Sequence, residues 1–242
     1  MNRRLYLFPH PDDELAVLAD WRRHHLAGLP SAAIWMHSTP AREAESRAVL
    51  DRCDLADVPV RFLAGADAHL HDEIPSLRAR LADVIASFRP DVVYAPAFDH
   101  GHVDHDTTRL LAQLAWSGPI TEYPLYFAYD RRIQTLHRFA DPRGEQRIAL
   151  SPEERTLKIR AARGYPSQTI WRILYWYSLI HGALLHPRYL GHTERYRHGL
   201  PIDPTRPSIG GPRGARIAET AAWQRWRAAV EKAHPEPRRS LH

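Results

Sequence analysis

Four short β-rich runs, Leu5–Phe8, Ala32–Met36, Val60–Leu63 and Val92–Ala95, alternate with stretches of helix-like apolar spacing at Leu15–Leu26, Ala41–Cys53, Ser76–Phe88 and Thr107–Trp116. Strands this short and this apolar are buried, and their alternation with helices argues for a parallel sheet in an α/β sandwich. The expectation is a three-layer, Rossmann-like architecture with a mainly parallel sheet. Ligands of such sheets collect at the carboxyl ends of the strands. "PHPDDE" follows the first run and "PAFDHGHVDH" follows the fourth, so both strings should open onto one edge.

The first string sets the chemical problem. Adjacent carboxylates repel, and burying either one is costly unless something positive sits beside it. His10 and Asp13 stand three apart at a strand-to-helix junction, where both can reach one point while Asp12 enters from another angle. Downstream, His100, His102, Asp104 and His105 add imidazole and carboxylate donors. A close ligand pair, one distant ligand and no thiol is the pattern of a catalytic metal site with open positions, with Zn²⁺ the leading ion. His24, His25, His69 and His71 read instead as surface histidines among the sixteen.

Composition narrows the setting. A single cysteine, Cys53, excludes an internal disulfide and a cysteine-based metal cage, and suits a reducing compartment. No signal peptide is read at the start, and the longest apolar region, Ile170–Leu185, contains Arg172 and His181 and is too short to span a bilayer. The expectation is a soluble, cytoplasmic protein without a transmembrane segment. Residues 1–120 carry a net −5 and residues 121–242 a net +10. An acidic front half suits a cation, whereas the basic half reads mainly as solvated surface, in a chain with 31 arginines to two lysines.

Beyond Ile120 the pattern changes. Ser151-Pro152-Glu153-Glu154 predicts a capped helix start, running to about Arg163 and broken by "YPSQ" at 165–168. A further aromatic helix is expected over Thr169–Leu185, then an irregular connection from His186 to Gly214 and a last helix from about Ala215 to Ala233. That last helix carries Trp223, Trp226 and Val230 as a stripe, for packing on the main body or for contact with a second copy of the chain.

Together the two strings resemble the signature motifs of the LmbE-like de-N-acetylases, which include GlcNAc-phosphatidylinositol de-N-acetylase (PIG-L). "AREAESRAVL" resembles the family's Arg-x-x-Glu helix, through Arg42 and Glu45; "RPDVVYAP" resembles the strand before the second motif, and "KIRAARGYPSQ" its Lys…Ser-Gln segment. The resemblance implies a de-N-acetylase domain over residues 1–186 and leaves 187–242 as a C-terminal helical extension packed on the core. It makes His10, Asp13 and His105 the ligands of one zinc ion, Asp12 the general base, His102 the general acid or oxyanion partner, and Asp104 the residue that orients a histidine. Arg42 and Asp72 match substrate-contacting positions. The second strand ends in "MHSTP", where the family usually has a Thr-x-Gly loop, so His37 is expected in a different substrate wall; His100 stands at a variable position and is grouped with the substrate contacts.

The implied activity is zinc-dependent removal of an acetyl group from an N-acetylated amino sugar, GlcNAc-type, within a larger glycoconjugate or metabolite. Two alternatives stay open: a metal-dependent amidase or phosphoesterase on a non-sugar substrate, and a non-catalytic binder of anionic glycoconjugates. No nucleic-acid motif is present. The segment 171–177 and the stretch 187–213, with Arg188, Arg195 and Arg197, are expected to form a substrate rim or to join the tail to the body.

Overall fold

The computed structural model describes residues 2–127, 129, 135–170, 172 and 192–233. The four expected strands form as β1 (Arg4–Phe8), β2 (Ser31–His37), β3 (Val60–Gly65) and β4 (Val92–Pro96). With β5 (Ile120–Tyr123) they make a parallel sheet in the order β3-β2-β1-β4-β5. The order reverses between β1 and β4, so the chain segments leaving these two strands diverge and leave a crevice at their carboxyl ends.

Alternation along β1 shows why the sheet needs two covers. Leu5 and Leu7 enter one core with Ile34, Val93 and Leu111, whereas Tyr6 and Phe8 enter the other with Trp35, Val49 and Tyr94. Helices α1 (Leu18–Leu26), α2 (Pro40–Arg52) and α5 (Pro152–Ala162) contribute to the aromatic side; α3 (Ile74–Phe88), α4 (Val103–Ala115), α6 (Gly211–Ala218) and α7 (Ala221–Ala233) contribute to the aliphatic side. The expected mainly parallel three-layer sandwich is therefore observed.

The boundaries deviate where caps intervene. The predicted helix Leu15–Leu26 opens as a tight turn over Asp13–Ala16 before α1 begins. The α4 helix starts four residues before the predicted Thr107, because the His102 side chain caps it by accepting the Asp104 N–H at 3.2 Å, with Asp104 and Asp106 in its first turn. The second motif is thus the first turn of a helix. At Ser151 the predicted reciprocal cap forms with Glu154.

Two short strands, β6 (Tyr126–Phe127) and β7 (Thr135–Leu136), pair with each other. A larger departure is that β8 (Gln146–Ala149) and β9 (Thr193–His198) extend the main sheet, with β9 antiparallel to both β5 and β8. The segment expected as an extension therefore donates a strand. "TERYRH" does not read as a strand because its charges are used inside the fold. Glu194 accepts from the amides of Ala19 and Asp20 at the start of α1, at 2.9 and 2.8 Å, and from Lys158 Nζ at 2.8 Å. Arg197 shares buried Glu122 with Arg109, at 2.6 and 2.7 Å.

The expected last helix is two. Thr220 interrupts it and caps α7 by accepting the Trp223 N–H, and the stripe of Trp223, Trp226 and Val230 is buried, with Trp226 Nε1 donating to Thr107 Oγ1 of α4 at 3.1 Å. Most of the expected helix Thr169–Leu185, including Trp171 and Tyr175 to Tyr177, lies outside the described residues, as does Arg188. Among the described residues no helix is long and apolar enough to cross a membrane.

Candidate metal centre at the carboxyl edge of the sheet

The turn after β1 is forced. Asp12 has φ 108°, a region that costs a non-glycine residue about 1 kcal/mol or more. Glu14 holds it there. This fully buried carboxylate accepts the Asp12 N–H at 2.7 Å, Trp35 Nε1 at 3.1 Å, Ser46 Oγ at 2.9 Å and the Tyr165 hydroxyl, so β2, α2 and the "YPSQ" segment all brace the motif. The strained turn sends the two neighbouring aspartates in different directions.

Asp13 turns inward. Its Oδ2 accepts the His10 N–H at 2.9 Å, lies 3.3 Å from His10 Nδ1 and 3.8 Å from His105 Nε2. The last distance is too long for a hydrogen bond, and His105 Nδ1 is buried with no hydrogen-bond partner. No hydrogen bond to protein holds the ring. Donors sharing one tetrahedral zinc, with bonds of about 2.1 Å, stand about 3.4 Å apart. Asp13 Oδ2 keeps close to that separation from His10 and from His105, and imidazole and carboxylate donors of this kind suit a divalent ion. The ring nitrogens of His10, His102 and His105 also lie within 4.8 Å of one another, so His102 borders the same point.

Second contacts orient these rings. His10 Nε2 donates to Asp104 Oδ2 at 3.0 Å, so a metal on the Asp13 side would meet the Nδ1 lone pair. Asp104 is bonded to His10, whereas His102 Nδ1 stands 3.9 Å away. Since His102 Nδ1 accepts the Asp104 amide, its remaining proton lies on Nε2. Burial pushes the His105 imidazole down to about 3 and holds His102 below its usual value, so both stay neutral at physiological pH. Burial would raise Asp13, yet His105 and His10 hold it below the carboxylate range; Asp12 is pushed well up by burial and then by Asp13.

Residues 5–116 match the family model described as PIG-L: GlcNAc-PI de-N-acetylase. This stretch, a little under half of the chain, is similar to the PIG-L family. No curated protein gives a match to the chain. Among solved structures, the conserved protein TT1542 from Thermus thermophilus superposes with a TM-score of 0.60 at 23% identity, over 84% of this chain and 97% of its own. A deacetylase of the teicoplanin biosynthesis pathway reaches 0.62 at 20% identity, over 83% and 99%. An N,N'-diacetylchitobiose deacetylase from Pyrococcus horikoshii reaches 0.55 at 16% identity, over 82% and 84%. At these identities the likeness is one of fold.

Within and around the matched stretch, the structure sorts the remaining expected site residues. Arg42 reaches the centre: its buried guanidinium donates to the Pro11 carbonyl at 3.1 Å and stands 3.5 Å from Asp12 and 3.6 Å from Asp67. His37 lines the same wall, with Nδ1 donating to Gly65 O at 2.7 Å and Nε2 3.9 Å from Asp67. His100 is not at the open site. It is fully buried, donating from Nδ1 to Asp106 at 2.9 Å and accepting the Ser208 N–H on Nε2 at 2.9 Å, so neither nitrogen is left for a substrate. Asp72 is exposed beside His69, in a cleft that His102 also lines.

Arg195 and Arg197 are likewise internal. Arg195 pairs with Glu145 at 2.6 Å, and Arg197 holds Glu122 and the Asp141 carbonyl. Neither forms an open charged rim. Glu45, from the Arg-x-x-Glu helix, accepts both the amide and the hydroxyl of Ser167, at 3.0 and 2.6 Å, which ties together the two supporting motifs. Sequence reasoning missed Asp67, whose Oδ1 lies 3.3 Å from His10 Nε2. The signal was available: Asp67 follows β3, at the same carboxyl edge.

Proposed function

We propose that this chain is a metal-dependent N-deacetylase that hydrolyses the acetamide of an N-acetylated amino sugar, GlcNAc-type, within a larger glycoconjugate or metabolite. The observation that carries the reading is the split of adjacent aspartates, with Asp13 facing His10 and His105 and Asp12 held aside by Arg42. A binding module has no use for a second carboxylate kept off the ligand set. The match of residues 5–116 to the PIG-L family supports the same reading.

His10, Asp13 and His105 would hold one zinc ion, which when bound supplies Lewis acidity toward water and toward the amide carbonyl. Asp12, with its pKa raised by burial, takes a proton from the attacking water as general base and returns it to the amine nitrogen as the C–N bond breaks, releasing acetate and the free amine. His102, capping α4 through Nδ1, presents its Nε2–H as a donor to the oxygen that gains charge as the carbonyl becomes tetrahedral. Asp104 fixes His10, and Arg42 keeps Asp12 in place against its neighbour's charge. Arg42, His37 and Asp67 supply polar groups along one wall for a hydroxyl-rich substrate.

The test is a mass-spectrometric screen of N-acetylated sugars with zinc-loaded protein and its Asp12→Asn variant. Loss of an acetyl group from at least one sugar, abolished in the variant at full metal content, is expected. Hydrolysis of phosphoesters with no acetyl loss would overturn the reading.

A further inference from the structure

A cleft of about 690 Å³ runs from His102 along one face of α7, between Ala222, Arg225 and Lys232 on that helix and the turn Leu70–Glu73. At its mouth stand His69, His71 and Asp72, the three histidine and carboxylate side chains that the proposed centre does not use. Their ligand-capable atoms all lie within 4.8 Å of one another. His69 Nδ1 is 3.1 Å from Asp72 Oδ2, and His71 Nε2 is 4.0 Å from the same oxygen. The latter is beyond hydrogen-bond reach, and the buried His71 Nδ1 has no hydrogen-bond partner. The His71 ring therefore repeats the situation of His105: a buried imidazole held by no hydrogen bond, facing a carboxylate across a gap suited to a shared cation.

We propose that His69, His71 and Asp72 form a second divalent-cation site at the cleft mouth, with open coordination positions facing the cleft. The turn that carries them is already fixed. Asp104 Oδ2 accepts the Ala68 N–H at 2.7 Å and Asp104 Oδ1 accepts the Leu70 N–H at 3.1 Å, while the Asp72 amide closes the turn on the His69 carbonyl at 2.9 Å. Two imidazoles and one carboxylate are the donor set of an open zinc site. Exposure of His69 and Asp72 makes this the weaker of two sites, since two of three donors lose mobility when the ion binds. A cation there takes its remaining ligands from water or from oxygens of a molecule lying in the cleft beside His102. The site is independent of which bond the chain hydrolyses.

Equilibrium dialysis of the metal-stripped full chain against graded ZnCl₂, with metal counted by elemental analysis, reads both sites. Wild type should saturate at two zinc ions per chain in two separated phases. The surface double variant His69→Ala/Asp72→Asn should keep the tight phase and lose the weaker one, or weaken it at least tenfold, with an unchanged melting temperature. His105→Ala should do the reverse. Co²⁺ substitution should show ligand-field bands from the weaker site that vanish in the double variant. Saturation of wild type at one ion, or a second ion retained with unchanged affinity in the double variant, would overturn the proposal. Neither outcome depends on deacetylase turnover, so a failure of the proposed activity remains distinguishable.

Discussion

Replacing Asp104 by asparagine tests how the second motif serves the first. The carboxylate makes three bonds with its two oxygens: Oδ2 takes His10 Nε2–H at 3.0 Å and the Ala68 amide at 2.7 Å, and Oδ1 takes the Leu70 amide at 3.1 Å. An amide must put its NH₂ in one of the two places. In the Oδ2 position it would face two donors and force the His10 proton onto Nδ1, the nitrogen needed on the Asp13 side. In the Oδ1 position it would strand only the Leu70 N–H. The second orientation wins, at a cost of about 1–3 kcal/mol for one buried unsatisfied donor. For a chain of this size that is roughly 3–10 °C in Tm. His10 keeps its tautomer but gives its proton to a neutral acceptor, so its basicity falls, and loss of such a partner costs about 10- to 100-fold in metal affinity. Zinc competition against a chromophoric chelator, beside calorimetry of the metal-free chain, measures both effects. An Asp104→Asn protein with wild-type zinc affinity would refute the assignment of Asp104 as the residue that orients His10.

Other expectations rest on the same geometry. Asp12→Asn should retain zinc and fold while turnover drops about 10²- to 10⁴-fold, checked by metal analysis and deacetylation kinetics on one sample. Burial pushes the Asp99 carboxyl up to about 6, above its unfolded value near 3.9, so between these values the folded state binds the extra proton and stability falls as pH rises. Asp99→Asn, which can still accept the Ala140 N–H, should therefore stabilise the chain by about 3 kcal/mol at pH 8 and bring little gain at pH 4; equal gains at both pH values in urea unfolding would contradict this. Glu122→Ala should leave Arg109 without its carboxylate partner and Arg197 with only the more distant Asp99, at 3.6 Å, and cost about 3–5 kcal/mol, read as a lower urea midpoint.

The sequence by itself determined the parallel core and the edge at which chemistry gathers. Leu5–Phe8 and Val92–Ala95 are short apolar runs whose only stable use is inside a covered sheet, and the polar string after each run must open at the carboxyl end of its strand. Residue chemistry likewise required positive charge beside Asp12 and Asp13, because two adjacent carboxylates cannot be buried alone. The tertiary structure decided what depends on distant partners. His100 looks like a ligand in "HGHVDH", but Asp106 and Ser208 occupy both its nitrogens, and Ser208 lies 108 residues away. Asp67 carries no motif, and only the pairing of β3 beside β2 brings it to His10. The β9 strand reads as a polar connection because Glu194, Arg195 and Arg197 find buried counter-charges from α5, the segment before β8, and β5. Periodicity reports the burial of apolar side chains, but a buried polar one is legible only once the group that satisfies it is in place.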